Sequence, residues 1–241
     1  MEKALIIIPT FNEIDNIERL IRTILTIHKS PHILVVDDNS PDLTSELVSS
    51  LQVEFKENLF LLNRPIKEGL GKAYIDGFKW GLKRDYNYFI QMDADFSHDP
   101  KSLIDLFSSC EVSGNDLTIG SRYIKGINVI NWPISRILLS YFASFYVRII
   151  TGMPIKDPTA GFVCYKRTVL ETLNLDKIKF VGYAFQIEMK FKAFNKKFKI
   201  KEIPIIFTDR VKGESKLTKG IIFEAVSGVI LLKLQQILGK I

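Results

Sequence analysis

The chain has 241 residues, with 33 Lys and Arg against 27 Asp and Glu, and a formal net charge of +6. These proportions exclude an intrinsically disordered chain, and the length suits one large α/β domain or two small ones. The positive charge is typical of proteins with an anionic partner, such as a nucleic acid, a membrane surface or a phosphorylated substrate.

The first half of the chain alternates strand-like and helix-like segments. Apolar runs of strand length predict five strands, at residues 4–9, 32–38, 58–63, 86–93 and 116–123. Apolar residues at helical spacing predict four helices, at residues 12–27, 42–55, 69–84 and 100–109. This βαβ alternation predicts an α/β fold with a mostly parallel, Rossmann-like sheet flanked by helices on both faces.

The second half is less regular. Residues 131–152 are aromatic and amphipathic, residues 159–167 suggest a short strand leading into a helix, and residues 198–210 contain a strand. Residues 220–241 predict an apolar helix that lies on protein or on a membrane surface. No apolar stretch reaches the roughly 18–20 residues that span a bilayer. Without a repeat or linker, the sequence predicts one continuous domain with a C-terminal amphipathic elaboration.

The two cysteines and the N-terminus add little. Cys110 and Cys164 are far apart and form neither a metal-binding spacing nor a disulfide framework, which is typical of a reducing compartment. The N-terminal apolar run is too short for a signal peptide and lacks a cleavage site.

Three of the predicted strands end in polar segments: "PTFNE" (9–13), "DDNSPD" (37–42) and "DADFSHDP" (93–100). Ligands of open parallel sheets bind beyond the carboxyl ends of the strands, so the three segments are expected to meet in one crevice. Each aspartate also has an alternative role as a helix cap or turn residue.

Asp93 and Asp95 are the distinctive pair, because only one alanine separates them. Two close carboxylates repel each other, and a hard divalent cation such as Mg²⁺ or Mn²⁺ removes that cost while leaving positions open for phosphate and water. The alternative is a solvated turn. His98 follows as a turn residue or a general base.

The segment "GLGKAYIDG" lacks the spacing of a phosphate-binding loop, and no dinucleotide fingerprint follows the first strand. Its glycines are explained by a helix start, although Lys72 is placed to reach a diphosphate near the sheet edge.

Eight segments occur in this order: "PTFNE", "VVDDNSPD", "GLGKAYIDGF", "MDADFSHDP", "GSRY", "DPTAGF", "FQIEM" and "DRVKGESKL". Together they resemble the family 2 glycosyltransferases with a GT-A fold, and within that family the polyprenyl-phosphate (dolichyl-phosphate) mannose synthases. The resemblance runs from residue 5 to about residue 217. It implies a single glycosyltransferase domain over residues 1–241, with a nucleotide-sugar-binding half (1–125) and an acceptor- and membrane-facing half (126–241).

The resemblance also implies roles for individual residues. With Lys72 included, the donor-binding residues are Pro9, Phe11, Glu13, Val36, Asp38, Lys72, Asp93, Ala94, Asp95, Arg122, Arg210 and Lys216. The expected metal contacts are Asp93 and Asp95, with Ser97 where some relatives carry Gln. Asp95, Arg122 and Arg210 are expected to be catalytic, and Arg136 and Ser140 to hold the acceptor phosphate. Glu188 in "FQIEM" is either a positioning carboxylate or a charge on a helix surface.

The reaction implied is an inverting transfer of mannose from GDP-mannose to a polyprenyl phosphate, dolichyl or undecaprenyl, assisted by Mg²⁺ or Mn²⁺. A cytoplasmic enzyme, peripheral at the cytoplasmic face of a membrane, is expected. The apolar residues near 130–150 and the basic run "KFKAFNKKFKIK" (190–201) are candidates for lipid contact. Two alternatives stay open: transfer of glucose or N-acetylhexosamine from a UDP-sugar, and a basic α/β protein that binds nucleic acid without catalysis. No nucleic-acid-binding module is recognisable, so nucleic acid is not expected as a partner.

Overall fold

A computed structural model describes residues 1–29, 31–209 and 219–239. The strands in these residues are β1 (Ala4–Thr10), β2 (His32–Asp37), β3 (Leu59–Asn63), β4 (Tyr88–Gln91), β5 (Leu117–Ser121), β6 (Val129–Ile130), β7 (Val163–Lys166), β8 (Ile200–Pro204) and β9 (Phe207–Thr208). The α-helices are α1 (Ile14–Ile27), α2 (Thr44–Glu54), α3 (Leu70–Leu82), α4 (Leu103–Glu111), α5 (Ile134–Thr151), α6 (Arg167–Thr172), α7 (Tyr183–Asn195) and α8 (Lys219–Ile237).

Seven strands form one sheet in the order β3-β2-β1-β4-β7-β5-β8. Every neighbouring pair is parallel except those of β7, which runs antiparallel to both β4 and β5. The predicted α/β fold with a mostly parallel sheet is therefore confirmed. Strands β6 and β9 form a separate, two-stranded parallel sheet.

The direction of β7 determines which loops meet at one edge of the sheet. The carboxyl ends of β1, β2, β4 and β5 lie at the same edge because these strands are parallel to one another. Since β7 is antiparallel, the residues that precede it lie at this edge too, with Val163 opposite Gln91. The turn at residues 156–161 is thereby brought to the predicted crevice.

The sheet is buried on both faces, as its continuous apolar runs predict. Leu5 and Ile7 of β1 belong to one core cluster, and Ile6 and Ile8 belong to another on the opposite face. Helix α3 approaches the sheet closely at two glycines. A Cβ atom at Gly77 would lie 2.7 Å from Ile7, and one at Gly81 would lie 2.5 Å from Phe89. Larger residues at these positions would push α3 away from the sheet.

Helix α5 has 18 residues, a mean hydropathy of 1.2 and only 17% of its length buried. By length and composition alone it meets the requirement for crossing a membrane, which the sequence analysis did not anticipate. It packs on α8, where the Tyr146 hydroxyl donates to the Val226 carbonyl at 3.0 Å.

Both helices expose apolar side chains. We use the term α5 apolar surface for the exposed residues Ile134, Leu138, Leu139, Tyr141, Phe142, Phe145 and Ile149. The exposed apolar residues of α8 are Val226, Ile230, Leu231, Leu234 and Ile237. On its inner side α8 contributes Val229 and Leu232 to the core.

Candidate active site

The aspartates of the turn after β2 have different roles: two form hydrogen bonds within the fold, and one lies at the crevice. Asp37 is fully buried, and its carboxylate accepts the Thr10 hydroxyl at 2.7 Å and the Ser40 hydroxyl at 2.6 Å. Asp42 accepts the Thr44 amide at 3.1 Å and therefore acts as the turn residue that was the alternative for it. Asp38 remains as the aspartate of this turn at the crevice.

Asp38 is ion-paired with Arg64, a buried arginine that the sequence analysis did not single out. The same guanidinium reaches Asp76 at 2.8 Å and Glu68 at 2.7 Å. Burial raises the pKa of Asp38, and Arg64 opposes that rise. The end of the crevice predicted to hold the nucleoside is thus an arrangement of charged donors and acceptors.

Phe11, after β1, borders this charged cluster. The ammonium of Lys67 lies over the Phe11 ring, 3.7 Å from its centroid. A cation in this position is attracted to the negative face of an aromatic ring. Lys67 adjoins the Arg64 cluster in sequence, so one loop supplies both cations at this end of the crevice.

The turn after β4 holds Asp93 and Asp95 in defined positions. The Asp93 amide donates to Nδ1 of His98 at 3.1 Å, and the Ser97 amide donates to Oδ1 of Asp95 at 3.0 Å. The Tyr74 hydroxyl of α3 lies 3.4 Å from Oδ1 of Asp93. Burial first, and the Asp93 charge second, raise the pKa of Tyr74 well above its usual value, which keeps this hydroxyl protonated.

The donor set of this turn suits a hard divalent cation. The Asp93 side chain is 33% exposed, and Asp95 lies two residues along the same turn. Among the described residues, no group of three or more His, Cys, Asp and Glu side chains is arranged to hold a metal. Mg²⁺ in substrate complexes commonly takes one or two carboxylates and completes its shell with phosphate oxygens and water. One half-exposed carboxylate and one buried carboxylate, since Asp95 is 7% exposed, fit that pattern, whereas a closed structural metal site would need more protein ligands.

His98 supports the turn. Because its Nδ1 accepts the Asp93 amide, the ring hydrogen lies on Nε2. The ring is 2% exposed and stacks on Phe162 at 4.6 Å. Burial lowers the pKa of His98, which favours the neutral ring. A turn residue, rather than a general base, is the role this geometry fits.

Arg122 follows β5 and lies in a bidentate ion pair. Its Nε and Nη2 atoms lie 2.7 and 2.6 Å from the two carboxylate oxygens of Asp157, and Nη2 also donates to the Thr159 hydroxyl at 2.8 Å. Asp157 is fully buried. Burial alone would raise the pKa of Asp157, but Arg122 outweighs that effect and the net shift is downward. The sequence analysis quoted "DPTAGF" without assigning Asp157 or Thr159 a role.

Arg136 and Ser140, one helical turn apart on α5, are both connected to this cluster. The Tyr123 hydroxyl, next to Arg122 in sequence, donates to the Ser140 hydroxyl at 2.7 Å. Arg136 donates to Asp209 at 2.8 Å, and its guanidinium lies 4.1 Å from the centre of the Trp132 ring. The Arg122 guanidinium lies 5.5 Å from the centre of the same Trp132 ring, so Arg136 and Arg122 share a neighbour, and Ser140 contacts the residue after Arg122.

The remaining predicted donor-binding residues differ in how their side chains are placed. Val36 is fully buried and Ala94 is 4% exposed, so a ligand contact at either position would come from backbone atoms. Lys72 lies in the first turn of α3; the pKa of Asp176 is lowered chiefly by its ion pair with Lys79, and the Lys72 charge adds a smaller lowering effect. Arg210 and Lys216 lie outside the described residues.

Pro9, Glu13 and Ser97 complete the predicted set. Pro9 lies opposite Val36 at the end of β1, and Glu13 accepts the side-chain amide of Asn16 at 3.1 Å. Ser97 is 3% exposed, and a metal contact by this residue stays a prediction. Glu188 is not the helix-surface charge that was one alternative for it. It is fully buried, accepts the Lys179 and Phe180 amides at 2.9 and 3.1 Å, and pairs with Lys192 at 2.7 Å.

Comparison with known proteins identifies related sequences over most of the chain. The family described as glycosyl transferase family 2 matches residues 5–173. Polyprenol monophosphomannose synthase of Mycolicibacterium smegmatis is 42% identical over 93% of this chain and 84% of that protein. Undecaprenyl-phosphate mannosyltransferase of Micrococcus luteus is 40% identical over 94% of this chain and 92% of that protein. Dolichol-phosphate mannosyltransferase of Pyrococcus furiosus is 37% identical over 92% of this chain, which spans 61% of that longer protein.

Solved structures of the same fold are more distant in sequence. Glucosyl-3-phosphoglycerate synthase from Mycobacterium tuberculosis, in complex with Mn²⁺, UDP and glucosyl-3-phosphoglycerate, has a TM-score of 0.65 and 15% identity over 98% of this chain and 80% of that chain. The same synthase in complex with Mg²⁺ and UDP has a TM-score of 0.64 and 16% identity over 98% of this chain and 79% of that chain. These likenesses confirm the predicted GT-A fold.

Proposed function

Since the chain belongs to glycosyl transferase family 2 and is a glycosyltransferase, we propose that it transfers a mannosyl group to a polyprenyl phosphate. The observation that carries the proposal is the sequence identity, 40–42% over more than nine-tenths of the chain, to two curated mannosyltransferases of this lipid class. Family membership also favours an enzyme over the nucleic-acid-binding alternative.

We propose GDP-mannose as the donor and Mg²⁺ or Mn²⁺ as the metal. Asp93 and Asp95 would hold the metal, with Ser97 as a further candidate. When bound, the cation would supply positive charge to neutralise the donor diphosphate. Structural neighbours crystallised with UDP and either Mn²⁺ or Mg²⁺ support a nucleotide and a divalent cation as ligands. They also leave a UDP-sugar as the alternative donor.

The chemistry needs no strong general base. A phosphate monoester has a second pKa of about 6 and is largely ionised at neutral pH, so its oxygen is already nucleophilic. In the proposed step this oxygen forms a bond to the anomeric carbon while the bond from that carbon to the diphosphate breaks. The diphosphate leaves with the bonding electrons, and the anomeric centre is inverted.

The protein's contribution would then be positioning and charge neutralisation. Arg136 and Ser140 would hold the acceptor phosphate against repulsion by the donor, and Arg122 would lie near the donor sugar. Arg210 and Lys216, outside the described residues, are proposed to neutralise the departing diphosphate. The halves at residues 1–125 and 126–241 would correspond to donor and acceptor binding.

The acceptor is a lipid, so we propose peripheral association at the cytoplasmic face of a membrane. Helix α5 carries both the α5 apolar surface and the Arg136–Ser140 pair. Docking this surface at the lipid interface would bring a head-group phosphate to that pair. The net charge of +6 favours an anionic membrane surface.

The test is transfer of radiolabel from GDP-mannose to a polyprenyl phosphate, with and without metal, against a panel that includes UDP-glucose. We expect metal-dependent transfer from GDP-mannose, lost in Asp95→Ala. The matched control is Asp99→Ala in the same turn, whose carboxylate accepts the Lys101 amide at 3.0 Å. Transfer from UDP-glucose but not from GDP-mannose would sink the donor assignment, and full activity in Asp95→Ala would refute the metal role.

A further inference from the structure

Lys190 lies in the basic run that was a candidate for lipid contact, yet its side chain is fully buried. Lys196 and Lys197 of the same run are exposed. The Lys190 ammonium donates to the Ala160 carbonyl at 2.7 Å and to the Gln186 carbonyl at 3.2 Å. Burying an ammonium is costly unless specific partners compensate, so the contact with Ala160 is the feature to explain.

Ala160 belongs to the turn at residues 156–161 that precedes β7. The start of this turn is fixed by Glu202 of β8, whose carboxylate accepts the Lys156 and Asp157 amides at 2.8 and 2.9 Å. The end of the turn is fixed by Lys190. Two buried or half-buried charged side chains from different elements therefore hold one short turn at both of its ends.

The middle of the turn carries the residues that orient Arg122. Asp157 and Thr159 together accept four hydrogen bonds from Arg122, including its backbone amide at 2.9 Å. Gly161, at the end of the turn, adjoins the Asp93 carboxylate: a Cβ atom at Gly161 would lie 3.8 Å from Asp93 Oδ1. A shift of the turn would move Arg122 relative to the aspartates of the β4 turn.

We propose that Lys190 is a positioning residue for glycosyl transfer, because its ammonium holds the 156–161 turn against α7 and so fixes Asp157 and Thr159 where they orient Arg122. This inference rests on the proposed role of Arg122 beside the donor sugar. Lys190 itself touches neither substrate nor reacting atoms.

The charges around Lys190 make its interaction with the 156–161 turn sensitive to pH. Burial lowers the pKa of Lys190 to about 7, Asp157 and Glu202 act to raise it, and Arg122 acts to lower it. These groups face Lys190 from the turn, β8 and the end of β5, and Gln186 faces it from α7 itself. The ammonium therefore loses its proton close to neutral pH.

The first test is Lys190→Met, which removes the ammonium and keeps an unbranched apolar chain. Replacing a buried charge by an apolar residue is often tolerated by the fold. We expect kcat to fall about tenfold, with the KM of each substrate changed less than about twofold, because misplacement of Arg122 affects the transition state more than binding. The matched control is Phe191→Leu, the next residue of α7, which perturbs the apolar core but leaves the Lys190 ammonium and its hydrogen bonds in place, and is expected to keep kcat.

The pH dependence separates a positioning role from a structural one. The ratio of wild-type to Lys190→Met kcat cancels the ionisation of the acceptor phosphate. We expect this ratio to fall as the pH rises from about 6 to about 8.5, because the neutral Lys190 amine still donates to the Ala160 carbonyl but more weakly than the charge-assisted ammonium does. A ratio that stays constant across the interval contradicts the inference.

A second readout does not depend on transfer. The experiment follows the NMR signal of the Arg122 Nε hydrogen, which donates to Asp157, in the intact protein. Its chemical shift should titrate near pH 7 in the wild type and should not titrate in Lys190→Met. Glu202→Gln, at the other end of the turn, should shift the same resonance if Lys190→Met fails to fold. An Arg122 resonance that does not titrate in the wild type overturns the inference. Absence of mannosyl transfer by the wild type would defeat the proposed function instead, and the resonance would still decide the role of Lys190.

Discussion

The Arg122 guanidinium and the Asp157 carboxylate form a buried bidentate ion pair, although 35 residues separate them in the chain. Arg122 follows β5, and Asp157 lies in the turn that leads into the antiparallel strand β7. Because β5 and β7 are neighbours, the end of the first strand and the start of the second meet at one edge of the sheet. The pair links the conformation of the turn to the position of Arg122.

Asp157→Asn should destabilise the protein strongly. The substitution leaves the buried Arg122 without its counter-charge, and breaking a buried pair in this way typically costs about 3–5 kcal/mol. Urea denaturation should show a lower midpoint with little change in the m-value. The control is Asp176→Asn, which breaks an exposed pair with Lys79 and should change stability little. Equal losses in the two variants would contradict the structural role assigned to Asp157.

Asp209→Asn should improve acceptor binding. The Asp209 carboxylate forms an ion pair with the Arg136 guanidinium at 2.8 Å. It therefore competes with the phosphate that Arg136 is proposed to bind. Removing one charge of a half-exposed pair should lower the KM for polyprenyl phosphate about two- to fivefold. Ser140→Ala should have the opposite effect and raise the KM for polyprenyl phosphate. Initial rates at varied acceptor concentration measure both, and an increase in KM for Asp209→Asn refutes the competition.

Lys190→Met should change how stability depends on pH. The pKa of Lys190 is about 7 in the folded protein against an ordinary value of 10.5. Between these values the unfolded chain binds a proton that the folded protein does not, so the Lys190 contribution to the free energy of unfolding rises with pH, by at most about 1.4 kcal/mol per pH unit. Below pH 7 the cost of the buried charge is fully present.

The variant lacks this slope, so its stability relative to the wild type should be highest below pH 7 and should fall between pH 7 and 10.5. Urea titrations of both proteins at about pH 6.5, 8 and 9.5 measure the difference. Parallel pH profiles would show that Lys190 keeps its ordinary pKa.

Charges on the α5 apolar surface should weaken membrane binding. Phe142 is 61% exposed and Phe145 is 51% exposed, so a glutamate at either position should fold normally but resist entry into the lipid interface. The control is Val112→Glu, because Val112 is 79% exposed at the end of α4, away from this surface. Sedimentation with anionic vesicles should show less bound protein for Phe142→Glu and unchanged binding for Val112→Glu. Equal binding of both variants would exclude α5 as the docking surface.

The sequence by itself determined the order of the elements and the main features of the crevice. Alternating apolar runs and helical spacings identify strands and helices because each depends on local periodicity. The right-handed, parallel βαβ connection then places successive strand ends at one edge, so the location of Asp38, Asp93 and Asp95 at a common edge of the sheet was predictable. Family resemblance, rather than periodicity, supplied the roles of Arg122, Arg136 and Ser140.

Only the tertiary structure decided which charges are buried and what they hold. A basic run of sequence has the same pattern whether its lysines face water or the core, so the burial of Lys190 depends on how α7 packs. The pairing of Asp157 with Arg122 likewise depends on β7 running antiparallel between β4 and β5, which no local signal specifies. Local periodicity fixes the elements, whereas contacts between residues distant in the chain fix the ion pairs, because those contacts exist only once the sheet is assembled.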